Sequence, residues 1–337
     1  MLSRALSHDL PRSRWLAALL IAIVLGLAFA PLLFPGTKAL NVAAKVMIFI
    51  VLVASFDLLL GYTGIVSFAH TMFFGIGAYG IAIASTRLGP GWGAIALGLL
   101  AALLLSLALS LLIGLFSLRV KAIFFAMITL AVAAAFQTLA AQLSALTGGD
   151  DGLSFKVPVD SRLASYYALF VIALVLVLAL LRIVNSPFGR VLQAIRENPF
   201  RAEAIGYRTV VYRTLASVLA ALFATLAGAL LAFWLRYNGP DTSLSFEIML
   251  DVLLIVVIGG MGTVYGAVIG SALFVIAQNY LQDALRLAAG ALEGVPLIAR
   301  LVSPDRWLLW LGILFVLSVY HFPTGVVGRL RAMSSRV

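Results

Sequence analysis

The chain predicts an all-α, polytopic integral membrane protein with about ten transmembrane helices, and three observations carry that prediction. Hydrophobic residues make up 63% of the 337 residues and charged residues only 11%, whereas soluble domains run near 25% charged. The mean hydropathy is +1.13. Apolar runs of about 20 residues, enough to cross a bilayer core of roughly 30 Å, recur from end to end. The alternating pattern of a membrane β-barrel is absent. Residues 1–337 read as one transmembrane domain, with no appended soluble domain and no long low-complexity linker.

The first span, approximately 15–34, follows Arg4, Arg12 and Arg14. Ala28-Phe29-Ala30 imitates a signal-peptidase site, but the apolar run continues through Pro31 to Phe34 and further spans follow, which predicts a retained helix. The next spans fall at approximately 41–60, 66–85, 92–116, 123–143, 165–183, 215–235, 246–258, 264–281 and 307–320. The segment 246–258 is short and closes on Gly259-Gly260, so it is expected to be broken or re-entrant.

The formal charge of +10 reflects cytoplasmic loops rather than nucleic acid, because Lys and Arg concentrate on the cytoplasmic side of multispanning proteins. An even number of spans puts both ends on one side. That side would own Arg119, Lys121, the cluster in 182–213, Arg329 and Arg336. The other side would hold Lys38, Arg87, Lys156, Arg162, Arg236, Arg286, Arg300 and Arg306, and the acids Asp150, Asp151, Asp160, Asp241, Asp283, Glu293 and Asp305, which count little for orientation. The bias predicts that both termini are cytoplasmic. Zero cysteines exclude disulfides, thiol catalysis and thiolate metal sites.

Between the spans at 165–183 and 215–235 lies GRVLQAIRENPFRAEAIG, residues 189–206. Ser186-Pro187 is a helix start, with a hydroxyl at the N-cap and proline at the first helical position. Phe188, Val191, Leu192 and Ile195 fall at i, i+3, i+4 and i+7, one apolar stripe. Asn198 precedes Pro199 and should break the helix, and Gly206 suits a left-handed cap. Five charges in lipid would cost on the order of 15 kcal/mol, at roughly 2.5–3.5 kcal/mol each. The segment therefore belongs on the cytoplasmic face, as a loop resting on headgroups or as a docking element for a soluble partner.

SPFGRVLQAIRENPFRAEAIG resembles the cytoplasmic loop of permease subunits of branched-chain amino acid ABC transporters, of the LivM type. Other stretches fit the same pattern in the same order: LLLGYTGIVSFAHTMFFGIGAY (58–79), FFAMITLA (124–131), TGGDDGL (147–153) and VVIGGMGTVYGAVIG (256–270). The resemblance implies a permease of the bacterial inner membrane. Its partners would be a second, LivH-like permease subunit, two ATP-binding subunits and an extracytoplasmic substrate-binding protein. It implies a coupling loop at about 185–211, with Gly189, Arg190, Ala194, Arg196, Glu197, Glu203 and Gly206 in the ATPase-coupling region. Asp57 departs from the family pattern, where asparagine is common. No G-x-x-x-x-G-K-[ST] phosphate loop occurs, so ATP hydrolysis is expected in the partner subunits.

Gly75-Ile76-Gly77-Ala78-Tyr79-Gly80 matches G-x-G-x-x-G, but no strand precedes it and it sits inside an apolar span. Close helix contact is the better reading. The glycine-rich stretches from Gly61 and from Gly259-Gly260 mark either tight packing or the interrupted segments that flank substrate sites. Asp57, His70 and Asp251 are the ionisable groups expected within the membrane. Asp57 and His70 flank the expected Gly61 turn and are placed to meet, as a structural pair or at substrate. Tyr62, Thr63, Ser67 and Thr71 offer polar groups beside them. These residues form the candidate substrate pathway. Permeases of the same family for urea or short amides, and a proton-coupled secondary transporter, are the competing functions. An enzyme is disfavoured, because no clustered His, Glu or Asp set suits metal or acid–base chemistry, and no cofactor is implied.

Overall fold

The computed structural model describes residues 14–34, 36–117, 122–291, 303, 306–321 and 325–334. Arg4, Arg12, Arg119, Lys121, Glu293, Arg300, Asp305 and Arg336, used above to orient the chain, lie outside the described residues. The long helices are α1 (Arg14–Leu33), α2 (Thr37–Thr63), α3 (His70–Leu88), α4 (Trp92–Ser117) and α5 (Ala122–Gln142). A short α6 (Ser144–Thr147), a 3-10 turn (Gly149–Asp151) and β1 (Leu153–Ser154) lead to α7 (Arg162–Val184). Then come α8 (Pro187–Glu197), α9 (Pro199–Ala204), α10 (Thr209–Leu235), β2 (Tyr237–Asn238), α11 (Pro240–Ser243) and α12 (Phe246–Gly259). The described chain finishes with α13 (Val264–Ala291), α14 (Trp307–His321) and α15 (Gly325–Ser334).

Eight of the described helices are long and apolar enough to cross a membrane, fewer than the ten or so expected. The segment expected at 66–85 is α3, whose His70, glycines and Arg87 dilute its hydropathy. The segment at 307–320 is α14, only 15 residues long, or about 22 Å at 1.5 Å per residue.

Burial divides the bundle into a centre and a rim. Of the most apolar window, 89% is buried in α2 and 78% in α10, against 11% in α1 and 22% in α5. Apolar side chains that stay exposed on α1, α4, α5 and α7 suit contact with lipid, which is as apolar as they are. At the centre stands α10, which packs most extensively on α3 and next on α2.

Glycine notches make that close packing possible. A side chain at Gly228 of α10 would run into the carbonyl of Phe74 on α3, and one at Gly77 of α3 into the carbonyl of Thr225 on α10. Gly80 and Gly98 make the same exchange between α3 and α4. The G-x-G-x-x-G stretch is therefore a helix-packing surface.

At the end opposite α8, β1 and β2 pair antiparallel, with Leu153 opposite Asn238 and Ser154 opposite Tyr237. At the other end, α12 and α13 form a hairpin whose tip, Gly260 to Thr263, breaks the helix. The 14 residues of α12 rise about 21 Å, and with α11 before it the stretch Pro240–Gly259 is one of the eight long enough to cross a membrane. Gly325, at the start of α15, lies against Gly260 and covers that tip.

The link between α2 and α3 corrects the expected Gly61 turn. Helix α2 runs on through Gly61 to Thr63, and Gly64 ends it with φ 72°, in the left-handed region. Val66 and Ser67, expected inside the next span, sit in the non-helical link before His70.

Candidate functional site

The charged segment folds as its sequence dictates. Ser186 Oγ accepts from Gly189 N at 3.4 Å and Pro187 occupies the first helical position of α8. Asn198 is extended, with φ −155°, and ends α8, while its Oδ1 accepts from Arg201 N at 3.0 Å and caps α9. Gly206 closes the elbow at φ 99°. Leu192 and Ile195 are fully buried, and α8 packs on α2, α7 and α10. Half of the stripe is therefore taken up by the bundle, with Phe188 and Val191 half-buried at its edge. Gly189 is buried because a side chain there would strike the backbone of Val184.

On the outer face of the elbow Arg190, Ala194, Arg196, Glu197 and Glu203 are exposed. Glu203 Oε1 accepts from Thr209 Oγ1 at 2.5 Å and ties α9 to the start of α10. Two apolar side chains join these charges: Phe200 is 82% and Ile205 68% exposed. Sequence reasoning passed over both, though Phe200 stands off the buried stripe and beside Arg201, which is the signal of an outward aromatic.

Arg196 leaves that face and turns inward. Its Nη1 donates to the carbonyl of Gly61 near the end of α2. Gly61 also abuts the hairpin tip: a side chain there would collide with Asp57 and with Gly262 N. Gly262 N donates to Asp57 Oδ1 at 2.8 Å, and the Arg196 guanidinium is near enough to attract that carboxylate. Elbow, central helix and hairpin tip thus meet at one junction.

The other predicted pathway residues scatter around it. Tyr62, Thr63, Ser67, His70 and Thr71 are all buried, and Thr63 Oγ1 donates to Leu59 O at 2.6 Å. His70 does not pair with Asp57. Its Nε2 lies 2.8 Å from Ser55 Oγ, and its ring meets Phe56 edge-on at 5.3 Å. Gly259 packs against Gly266 across the hairpin and Gly260 sits at its tip.

Asp251 is elsewhere. It lines a cavity of about 670 Å³ between α2, α10, α12 and α13, towards the end away from the elbow. Lys45 lines the same cavity, sixteen residues before Gly61 along α2, or about 24 Å. Lys45 Nζ donates to Gln278 Oε1 at 2.9 Å, and Gln278 Nε2 donates to Asp251 Oδ2 at 3.2 Å. Glu247 lies one turn before Asp251 on α12, and Phe49, Phe74 and Trp234 complete an apolar wall. Lys45 was not anticipated: four residues into an apolar span, a lysine reads as a snorkelling side chain. A second cavity, of about 660 Å³, is lined almost wholly by apolar residues of α3, α4 and α5. It offers little to a charged solute.

The fold and its site define a multi-pass helical membrane protein built round a charged cavity, with a helical elbow seated on its end. Within that class, the chain belongs to the family described as the permease component of the branched-chain amino acid transport system, which matches residues 38–319. It is 25% identical over 322 residues to the high-affinity branched-chain amino acid transport system permease protein LivM of Salmonella typhimurium, a match covering 86% of this chain and 74% of that one. The Escherichia coli K12 protein of the same name is also 25% identical, over 323 residues, with the same coverage. A probable branched-chain amino acid transport permease protein LivM of Methanocaldococcus jannaschii is 26% identical over 148 residues, 43% of this chain and 41% of its own. No solved structure matches the chain at a significant level.

Proposed function

We propose that the chain is the permease subunit of an ATP-driven importer of branched-chain amino acids. It would work with a second, LivH-like permease subunit, two ATP-binding subunits and an extracytoplasmic substrate-binding protein in a bacterial inner membrane. The observation that carries this reading is the elbow of α8 and α9. Leu192 and Ile195 of its apolar stripe are buried in the bundle while Phe200, Ile205 and the charges beside them face outward. An element held that way passes a push from a soluble partner directly to the helices beneath it, and Arg196 extends the contact to α2 and the hairpin tip.

In this reading the elbow face is cytoplasmic, and both termini share it. Gly189, Arg190, Ala194, Arg196, Glu197, Glu203 and Gly206 shape or furnish the ATPase-coupling surface. Family membership and a cavity that sets charge beside an apolar wall support an amino acid as cargo. Urea and short amides carry no formal charge for such a cavity to meet.

The test is uptake of labelled leucine by the assembled importer in proteoliposomes. Internal ATP should drive it, vanadate should abolish it, and an uncoupler should leave it unchanged. Uptake that persists without ATP-binding subunits and collapses with the proton gradient overturns the reading. Displacement of leucine by excess urea or acetamide reassigns the cargo.

A further inference from the structure

Lys45, Gln278 and Asp251 form one bridge across the charged cavity. The amide oxygen of Gln278 accepts from the lysine at 2.9 Å and its amide nitrogen donates to the carboxylate at 3.2 Å. The polarity is what matters. A neutral amide offers an acceptor to the cation and a donor to the anion, which is the arrangement that the carboxylate and ammonium of a free amino acid would offer at full charge. Phe49, Phe74 and Trp234 line the same cavity and supply apolar surface for a hydrocarbon side chain. Its volume of about 670 Å³ lies within the usual range for small-molecule sites, roughly 300–1,000 Å³.

From this geometry we infer that the cavity between α2, α12 and α13 is a transit site for a zwitterionic amino acid, with Lys45 meeting its carboxylate, Asp251 its ammonium, and Gln278 bridging the two charges when the site is empty. The bridge has a physical reason. A buried charge left without a partner is costly, so a site that must empty in every cycle needs an internal stand-in for its cargo. Gln278 satisfies both groups without adding charge and swings aside when a zwitterion replaces it. The inference rests on the amino-acid importer reading and adds the residues that recognise the cargo.

The test uses the complex of permease and ATP-binding subunits in nanodiscs, with the binding protein omitted so that its own selectivity does not intervene. Binding of tritiated leucine is competed by leucinamide, which lacks the carboxylate, and by 4-methylpentanoate, which lacks the ammonium. The wild type should prefer leucine to either by tenfold or more. Lys45→Met should erase the preference over leucinamide alone, and Asp251→Asn the preference over 4-methylpentanoate alone. Should either single variant fail to assemble, Lys45→Met/Asp251→Asn removes both charges together and should lose both preferences. Variants that weaken all three ligands in proportion, or that keep the wild-type preferences, overturn the inference. So does a wild type that imports leucine with ATP yet binds none in this cavity. Failure of ATP-driven leucine uptake by the wild type sinks the importer reading instead.

Discussion

Asp57 keeps a carboxylate inside an apolar bundle because its Oδ1 accepts from the backbone N–H of Gly262, with the Arg196 guanidinium close by. The bonding partner is an amide N–H, and an asparagine side-chain oxygen can accept from it as well. Asp57→Asn should therefore retain the thermal stability of the purified protein. Asp57→Ala leaves the Gly262 N–H unanswered and should lower stability by about 1–3 kcal/mol, measured by thermal unfolding in detergent. Gly61→Ala presses a methyl group between Asp57 and the hairpin tip and should cost about the same, since overpacking typically costs 1–3 kcal/mol. Asp57 was legible from sequence as a membrane-embedded acid, because an ionisable group in an apolar run stands out. Its partner was not, because Gly262 is 205 residues further on and a backbone N–H carries no sequence signature. The same limit hid the Lys45–Gln278–Asp251 bridge, whose members come from three helices.

The elbow was the most legible element. Ser186, Pro187, Asn198, Pro199 and Gly206 are punctuation that acts locally, and each does in the fold what its chemistry requires. Ser186→Ala removes the cap and should destabilise α8 by about 1 kcal/mol, seen as faster amide exchange in 187–197. Arg196→Glu replaces the donor to Gly61 O by an acceptor at the same place. It should cut ATP-driven uptake at least tenfold while the protein still reaches the membrane, as quantitative blotting of membranes would show. The link between α2 and α3 was less legible. Gly61 looked like the turn residue, but the bundle uses it for close approach and hands the left-handed conformation to Gly64. Which of two nearby glycines turns the chain depends on what packs against each. Long spans were legible from length and hydropathy alone. The α3 span was shifted because the non-helical link from Gly64 to Ser67 takes up the start of the apolar run.

The assembled bundle keeps the junction and the charged cavity apart along α2. The junction of Arg196, Gly61, Asp57 and Gly262 lies at one end and the charged cavity begins about 24 Å along α2 towards the other. Because the chain has no cysteine, single introduced cysteines can map that polarity without background. Gln193→Cys, on the exposed face of α8, should react with a membrane-impermeant maleimide only in opened cells. Asp150→Cys, exposed at the opposite end, should react in intact cells. The reverse pattern would invert the molecule and place the elbow outside. Leu192 and Ile195, finally, vanish into protein instead of bilayer. The seat of the elbow is therefore made of protein, so on the importer reading exchanging anionic for zwitterionic phospholipids should leave ATP-driven uptake undisturbed, and the subunit would carry its own bearing into whatever membrane it enters.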